Sequence, residues 1–561
     1  MVWKSSTEAL DGDRSMKSGT EGFLKDRITK KPVFLTGLQC HNSSAGTELM
    51  DRTLQAVKLY GGNLLEAPVY WCEVEPEEGI YDLSSVERLL QQAGDAGIYL
   101  IPLWFGASKN GMYTYAPEYV KRNPSVYRRV KDGRGRTTES LSAGCRATLE
   151  RDKRAFEKVM EFLAKKDTRG TVIAVQVENE VGYVHTDRDY SDESEQEYRG
   201  DVPGYLSSVR IAECGTDDNG SGTWKERFGQ YSAEAFSAWQ QAVYIQEMIG
   251  AGKRKLDIPY LMNISIEVNE YEEPGHCYIS GGPVARVLDI WKKTATSVTL
   301  FGPDIYVQAE RDYRKACEKY ARTDNPLFIP ESCISGVGAG LNIMIAAADY
   351  NAIGICCFGA ESAVEGGRLL PEAEEVAVSM RAVSALAPLL ILNRGNGKVH
   401  AVTQAEFATW QHIMTEKYHI LAHFLNQEKQ KRGYFGSRIN LYAEENRKHL
   451  ERRGRCLIIE GHPDEFFVAG CGVCIEFRRR PDITEENVYE YFSSSMCTQA
   501  QFLSIEEGHF EGERWVCDYK RNGDEAYGPV YVHDGGAVRI RLDNTSDDPA
   551  EKRGTGDRQP D

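Results

Sequence analysis

The chain has 561 residues, too many for one hydrophobic core, and its 41% hydrophobic and 27% charged residues are ordinary for a globular protein. The net charge of −17, with no broad basic face, excludes nucleic acid or an anionic membrane as a partner. The sequence has no apolar run long enough to span a membrane and no apolar signal segment, so a cytoplasmic location is expected.

Apolar strands alternate with helices from about residue 32 to residue 392, after a polar arm over 1–31. The predicted strands are 33–39, 63–71, 98–104, one within 171–182, 259–264, 298–305, 327–330 and 353–358. The predicted helices include 47–60, one that opens at a Ser84–Glu87 capping box and ends at Gly97, 147–165, 232–250 and 340–350. Strands of continuous apolar character are typical of parallel sheets, so the alternation predicts an α/β fold, a (β/α)8 TIM barrel. An open doubly wound sheet is disfavoured because no glycine-rich phosphate loop opens the first helix.

The segments outside this alternation differ in character. The insertion 183–223 is polar and acidic, and it is predicted to be either a lid or partly disordered. The insertion 107–145 is aromatic and basic. Short alternating strands over 393–543 predict a C-terminal β-sandwich-like domain, and the polar tail 544–561 is predicted to be disordered.

The fourteen cysteines are predicted to be reduced thiols, most of them packed inside apolar strands. Cys471 and Cys474 have CxxC spacing. No second cysteine pair or histidine pair stands at zinc spacing beside them, so the strand interpretation is preferred over a metal site.

Acidic side chains end two of the predicted barrel strands. The strand within 171–182 ends in Glu178, Asn179 and Glu180, and the strand 327–330 is followed by Glu331. Buried carboxylates are costly unless they are used, and barrel enzymes place reacting groups at the C-terminal strand ends. One protonated and one ionised carboxyl group are what glycoside cleavage requires, but their separation, which decides retention or inversion, is not readable from sequence.

These segments resemble those of glycoside hydrolase family 35 β-galactosidases and their barrel relatives, including family 42. VQVENEVG resembles the acid/base motif, which implies Glu180 as acid/base and Asn179 as a ligand of the sugar 2-hydroxyl. NPLFIPES resembles the nucleophile strand and implies Glu331 in that role. FGPDIY resembles the sixth strand, where Tyr306 would orient the nucleophile. WFGASKNG, DEFFVAG and EEGHFEGERW are similar to a subgroup with a trailing β domain. The resemblance implies a retaining mechanism with no metal and no organic cofactor.

The sequence departs from many family members at the residues that contact galactose. Pro68 stands where a tyrosine is common on the second strand, and 103–106 replaces a Cys-Ala-Glu segment. Trp104, Lys109 and Asn110 would supply contacts instead, with Trp104 or Trp71 stacking on the sugar. The identity of the sugar is therefore open.

Several residues have two interpretations. Glu178 shares strand parity with Glu180, which predicts that both point the same way, with Glu178 either supporting the site or paired in a buried ion pair. His41 could reach the site or be a loop histidine, and Trp104 could be a sugar platform or barrel core. The remaining acids are expected in surface, rim or loop ion pairs: Glu66, Glu73 and Glu361.

The leading hypothesis is a retaining exo-acting β-galactosidase-like hydrolase of an oligosaccharide or glycoside. The alternatives are the same mechanism on a β-glucoside, β-xyloside or α-L-arabinopyranoside, or an inactive carbohydrate-binding barrel. Barrel hydrolases with an added β domain often associate, so a homo-oligomer is expected.

Overall fold

The computed structural model describes residues 21–211, 220–269, 271–406, 408–425, 453–479, 500–526, 529–532 and 534–543. The predicted tail, the first part of the polar arm and residues 212–219 of the acidic insertion lie outside this description. The chain divides into two compact units, Met1–Gly397 and Lys398–Asp561. None of the helices in the described ranges is long and apolar enough to cross a membrane.

The strands of the first unit are β1 (Leu35–Gln39), β2 (Leu64–Tyr70), β3 (Tyr99–Lys109), β4 (Arg129–Lys131), β5 (Thr137–Leu141), β6 (Val175–Asn179), β7 (Tyr260–Ser265), β8 (Leu300–Asp304), β9 (Phe328–Ile329), β10 (Gly354–Phe358), β11 (Val364–Glu365) and β12 (Arg368–Leu369). Eight of them are parallel and form the centre of the unit, in the order β8-β7-β6-β3-β2-β1-β10-β9. The backbone N–H of Ile305 donates to the carbonyl of Glu331 at 2.9 Å and closes the sheet between β8 and β9. The predicted TIM barrel is confirmed, with β4–β5 and β11–β12 as antiparallel hairpins outside it.

Helices follow the barrel strands and cover the sheet. They are α1 (Met50–Leu59), α2 (Trp71–Val74), α3 (Ser84–Ala96), α4 (Glu118–Arg122), α5 (Arg146–Lys166), α6 (Asp192–Tyr198), α7 (Trp224–Phe228), α8 (Ser232–Lys253), α9 (Leu288–Thr294), α10 (Glu310–Tyr320), α11 (Val337–Ala348), α12 (Pro371–Ala385) and α13 (Ala387–Leu392). The predicted capping box on α3 is wrong, because Asp82 Oδ1, at 2.9 Å, accepts the N–H of Ser84, which is already the first helical residue. Gly97 does end the helix, in the left-handed conformation with φ of 69°.

Parts of the polar arm 1–31 and of the acidic insertion 183–223 are packed against the rest of the first unit. Phe23 and Leu24, within the predicted arm, are buried, and Arg27 donates to Asp167 Oδ2 at 2.5 Å. In the acidic insertion, residues 183–211 include helix α6, and Tyr183, the first residue of the insertion, is fully buried. The described part of that insertion is therefore ordered structure attached to the barrel rim.

The second unit consists of two antiparallel sheets, as predicted for the C-terminal domain. Its strands are β13 (Val399–Thr403), β14 (Trp410–Met414), β15 (Tyr418–Phe424), β16 (Arg455–Glu460), β17 (Glu465–Cys471), β18 (Val473–Arg479), β19 (Phe502–Glu511), β20 (Arg514–Lys520), β21 (Val530–Val532) and β22 (Ala537–Leu542). One sheet has the order β13-β16-β17-β22-β19-β20 and the other β14-β15-β18-β21. Both sheets contribute to one apolar core, with Ile458 and Val468 from the first and Ile475 and Phe477 from the second.

Candidate active site

The backbone at the end of β6 is unusual. Glu178 and Glu180 have positive φ angles of 61° and 43°, a conformation that is uncommon and strained for residues other than glycine. The regular alternation of side chains is lost here, so the prediction from strand parity that both glutamates point the same way is wrong. Glu178 turns toward β3, whereas Glu180 lies among the charges of Glu331, Lys109 and Asp304.

The carboxylate of Glu331, at the end of β9, is buried and accepts four hydrogen bonds. Tyr306 donates its hydroxyl to Oε2 at 2.7 Å, as expected for a residue that orients this group. Three amides donate to Oε1: Gln39 at 3.1 Å, Asn179 at 3.3 Å and Asn263 at 3.3 Å. Hydrogen bonds from this many donors stabilise the ionised form of a carboxyl group and fix its orientation.

Glu180 has a different environment. Burial, and after it the negative charge of Glu331, raises the pKa of Glu180 to about 7, while the positive charge of Lys109 partly offsets the rise. Its backbone N–H donates to Asn263 Oδ1 at 2.9 Å. The site thus contains one carboxyl group with a raised pKa beside one that accepts four hydrogen bonds, and glycoside cleavage by two carboxyl groups needs two such different environments.

Asn263 and Gln39 are site residues that the sequence reasoning missed. Asn263 joins three acids, because its amide nitrogen also donates to Asp304 Oδ2 at 2.8 Å. Burial, followed by the charges of Glu331 and Glu180, raises the pKa of Asp304 well above its usual value. The sequence feature that could have identified them is a single amide side chain near the end of a mostly apolar strand. Gln39 ends LTGLQ, and Asn263 lies in YLMNIS.

Lys109, at the end of β3, is the cation of the site. It is buried, and its ammonium group donates to Asn179 Oδ1 at 2.6 Å. The neighbouring Asn110 donates its backbone N–H to the carbonyl of Asn179 at 3.0 Å, so both residues meet the end of β6. Asn179, expected to contact the sugar, is therefore fixed on one side by Lys109 and on the other by Glu331.

Glu178 anchors the end of β3 rather than facing Glu180. Its carboxylate accepts backbone N–H groups from Gly106 at 3.1 Å, Ala107 at 3.1 Å and Ser108 at 2.8 Å. Burial, and next the charge of Asp152, raises the pKa of Glu178 well above its usual value, and burial also raises that of Asp152. Two neighbouring buried acids of this kind favour a shared proton.

Trp104 lies in the core between the barrel and its helices, not on a sugar-binding surface. It is 1% exposed, and its indole N–H donates to Asp152 Oδ1 at 2.8 Å. Trp71 is also fully buried and donates to Glu75 Oε2 at 3.0 Å. The expectation that either ring stacks on a sugar is wrong, because neither has a face open to a ligand.

Glu66 was expected in a surface or loop ion pair and instead lies fully buried within β2. Its strand neighbours in the sheet are Gln39 and Ile101, which places it beside the site. Burial, and then the charge of Glu331, raises its pKa well above the usual value.

His41, which follows β1, bonds to the segment after β10 rather than to the paired glutamates. Its Nε2 lies 2.6 Å from Ser362 Oγ, and its backbone N–H donates to Glu361 Oε2 at 3.1 Å. Glu361, expected as a rim charge, is buried.

Comparison with known proteins is consistent with this geometry. Residues 27–245 match the family model "Glycosyl hydrolases family 35", and residues 378–530 match "Domain of unknown function (DUF5597)". Among proteins with curated descriptions, none matches the chain significantly. The family 35 match covers the part of the barrel unit that carries Glu180 but ends before Glu331.

Solved structures with similar barrels are only distantly related in sequence. The β-galactosidase from Bacillus circulans sp. alkalophilus is 14% identical, with a TM-score of 0.47, over 66% of this chain and 58% of that one. The β-galactosidase from Rahnella sp. R3 is 16% identical, with a TM-score of 0.47, over 67% and 59%. The catalytic domain of the Paenibacillus polymyxa β-amylase is 13% identical, with a TM-score of 0.47, over 63% and 98%. The chain thus spans less than two thirds of either β-galactosidase.

Proposed function

We propose that this chain is a retaining, exo-acting, β-galactosidase-like glycoside hydrolase, and the family 35 match over residues 27–245 supports the proposal. The observation that carries the proposal is the opposed environment of two glutamates at strand ends. Glu331 is stabilised as a carboxylate by four donors, while the raised pKa of Glu180 favours its protonated form.

The mechanism follows from these two states. Glu331 attacks the anomeric carbon while Glu180 gives its proton to the departing glycosidic oxygen, which leaves a glycosyl ester on Glu331 and an ionised Glu180. Glu180 then takes a proton from water as that water attacks the same carbon, and Glu331 departs as a carboxylate. Asn179 is positioned to bind the hydroxyl next to the anomeric carbon, because it lies against Glu331.

The test is hydrolysis of an aryl β-galactoside by Glu331→Ala and Glu180→Ala. Both variants should lose activity by several orders of magnitude. With the wild-type protein, NMR should show that the first-formed product keeps the anomeric configuration of the substrate. Turnover near that of the wild type in both variants, or an inverted product, contradicts the assignment.

A second candidate keeps the mechanism and changes the sugar to a β-glucoside, β-xyloside or α-L-arabinopyranoside. The supporting observation is the end of β3, where residues 103–106 replace the galactose-contacting segment of many relatives and Lys109 and Asn110 meet Asn179 instead. A panel of aryl glycosides decides between the two, and sugar binding without hydrolysis of any of them favours an inactive, binding barrel.

The proposed location is the cytoplasm. The barrel cysteines Cys40, Cys356 and Cys357 are free thiols, as a reducing compartment favours. Fractionation of the cells that express the protein tests this.

A further inference from the structure

Two buried carboxyl groups that the proposed mechanism does not use lie behind the end of β6. Glu178 is 1% exposed, and Asp152, on α5, is fully buried. The two groups are hydrogen-bonded to each other, and because an ionised carboxylate cannot donate, this bond requires one proton on the pair. All four carboxyl oxygens also accept hydrogen bonds from uncharged donors of the surrounding elements.

The hydrogen bonds on each side indicate which acid carries the proton. Tyr244 O–H donates to Asp152 Oδ2 at 2.6 Å, a length typical of a bond to an ionised carboxylate, and Trp104 Nε1–H donates to Oδ1 at 2.8 Å. The donors to Glu178 are backbone N–H groups at 2.8–3.1 Å. Burial, and next the charge of Asp152, raises the pKa of Glu178 well above its usual value. Glu178 therefore holds the proton and donates it to ionised Asp152.

Glu178 in turn holds three consecutive residues at the end of β3. Its oxygens accept the N–H groups of residues 106–108, and the middle one also donates to Asp152 Oδ2 at 3.3 Å. A Cβ on Gly106 would lie 2.6 Å from both Asp152 Oδ1 and Glu178 Oε1, so the strand passes directly over the pair. The orientation of Glu178 therefore fixes the backbone that leads into Lys109, the next residue.

Lys109 links this backbone to the reacting groups. Its ammonium group donates to Asn179 Oδ1 at 2.6 Å. Burial and then the charge of Glu331 raise the pKa of Glu180, and the charge of Lys109 opposes that rise. The titratable groups that face Glu180 are Glu331, Lys109, Asp304 and Tyr306. Those that face the buried pair are Tyr244 and, beyond it, Cys145.

We propose that Asp152 is a positioning residue for the reaction. By accepting the proton of Glu178, it keeps the Glu178 oxygens turned toward residues 106–108. This backbone then holds Lys109 beside Glu180. The inference rests on the proposed function for the role of Glu180, but the effect of Lys109 on the ionisation of Glu180 can be measured without catalysis.

Two isosteric substitutions separate the members of the pair. Glu178→Gln keeps a donor for Asp152 and an oxygen that accepts from the backbone of β3, so kcat/KM for an aryl glycoside should fall no more than about threefold. Asp152→Asn places an NH2 group against the N–H of Trp104 or of Ala107, whichever way the amide is turned. Its kcat/KM should fall about ten- to hundredfold. Equal losses, or a larger loss in Glu178→Gln, overturn the proposal.

The pH profile distinguishes positioning from a purely structural role. Asp152→Asn should displace Lys109 and move the alkaline limb of kcat/KM to higher pH by about half a unit. Loss of the Asp152 charge acting directly on Glu180 would move the limb to lower pH, so the sign separates the two effects. In a Lys109→Met background, Asp152→Asn should cause no further shift, because it acts through Lys109. A limb that stays in place, moves to lower pH or moves again in the double variant overturns the proposal.

The matched control is Glu234→Gln, which neutralises a buried acid of α8 that accepts from Tyr278 at 2.7 Å. It should leave the alkaline limb in place, and thermal unfolding should show that each variant is folded. If Asp152→Asn does not fold, Tyr244→Phe removes one donor to Asp152 and should move the limb in the same direction by a smaller amount. A limb that does not move in Tyr244→Phe then overturns the proposal.

Infrared titration reads Glu180 without catalysis. The protonated carboxyl band that is lost in Glu180→Gln belongs to Glu180, and its midpoint in the otherwise wild-type chain should lie at about 7. The same difference measured in Asp152→Asn should give a higher midpoint. If the wild type hydrolyses no glycoside but the midpoint rises, the proposed function fails and the positioning of Lys109 by Asp152 is supported. An unchanged or lower midpoint overturns the proposal whether or not the protein is active.

Discussion

Two glutamates with identical side chains acquire different chemistry from their neighbours. Glu331 receives four hydrogen bonds, and Glu180 lies partly buried next to that negative charge. In the proposed mechanism, the carboxyl group that is harder to ionise acts as the proton donor, and the one with four hydrogen-bond donors acts as the nucleophile. The residue types alone do not distinguish these roles.

The pH dependence of activity should follow Glu180. As the acid it must carry its proton, so kcat/KM should fall as the pH rises through about 7, the pKa of this group. Lys109→Met removes the positive charge that lowers this pKa, so the alkaline limb should move to higher pH by about half to one unit. Lys109→Arg keeps the charge and serves as the control. An alkaline limb that stays in place in Lys109→Met contradicts the role given to Lys109.

Tyr306→Phe should reduce turnover without unfolding the protein. The variant removes the 2.7 Å hydrogen bond to Glu331 Oε2 from a side chain that is 43% exposed. Loss of one hydrogen bond to a charged group corresponds to about a ten- to hundredfold lower kcat/KM. Steady-state kinetics with thermal unfolding as the control measures this, and unchanged kinetics would mean that Tyr306 does not orient the nucleophile.

At the scale of elements, the ends of β3 and β6 are built as one unit. The sequence predicts that the third strand stops at residue 104, but β3 continues to Lys109, because the carboxylate of Glu178 accepts the N–H groups of Gly106, Ala107 and Ser108. Strand propensity along the sequence did not predict this extension, because the hydrogen-bond acceptor is supplied by another strand, β6. The longer β3 places Lys109 within hydrogen-bonding distance of Asn179.

Gly106→Ala should disturb this junction. A Cβ at this position would lie 2.4 Å from Trp104 Nε1 and 2.6 Å from both Asp152 Oδ1 and Glu178 Oε1. Such overpacking should lower the free energy of unfolding by about 1–3 kcal/mol. Because it should also displace Lys109, kcat/KM should fall as well. Gly204→Ala, where an added Cβ meets nothing within 4 Å, is the matched control for thermal unfolding and kinetics. Equal stability of the two variants would contradict the packing described here.

At the scale of the molecule, the two units have separate cores, and the paired glutamates and their hydrogen-bonding partners lie in the first. Phe477 is fully buried in the core of the second unit. Phe477→Ala should therefore lower the unfolding free energy of that unit by about 3–5 kcal/mol, as usual for a large core truncation. Calorimetry should show the change in one transition, while KM for an aryl glycoside stays that of the wild type. A raised KM would show that the second unit influences the active site.

The sequence by itself determined the barrel, the two-sheet C-terminal unit and the pair Glu180 and Glu331 as candidates. Each of these depends on local patterns: apolar strands separated by helical periodicity, short alternating strands, and acids at strand ends. Such patterns are visible along the chain because each is set by neighbours in sequence.

Only the tertiary structure showed that Gln39 and Asn263 also join the site. Gln39 and Asn263 donate hydrogen bonds to Glu331 from strands that are far apart in the chain. Trp104 lies in the core, where its indole N–H donates to Asp152. The left-handed backbone at Glu178 reversed the direction expected from strand parity. Burial, hydrogen bonding and backbone strain depend on elements brought together by folding, so they set the chemistry of the glutamates in a way that no single stretch of sequence specifies.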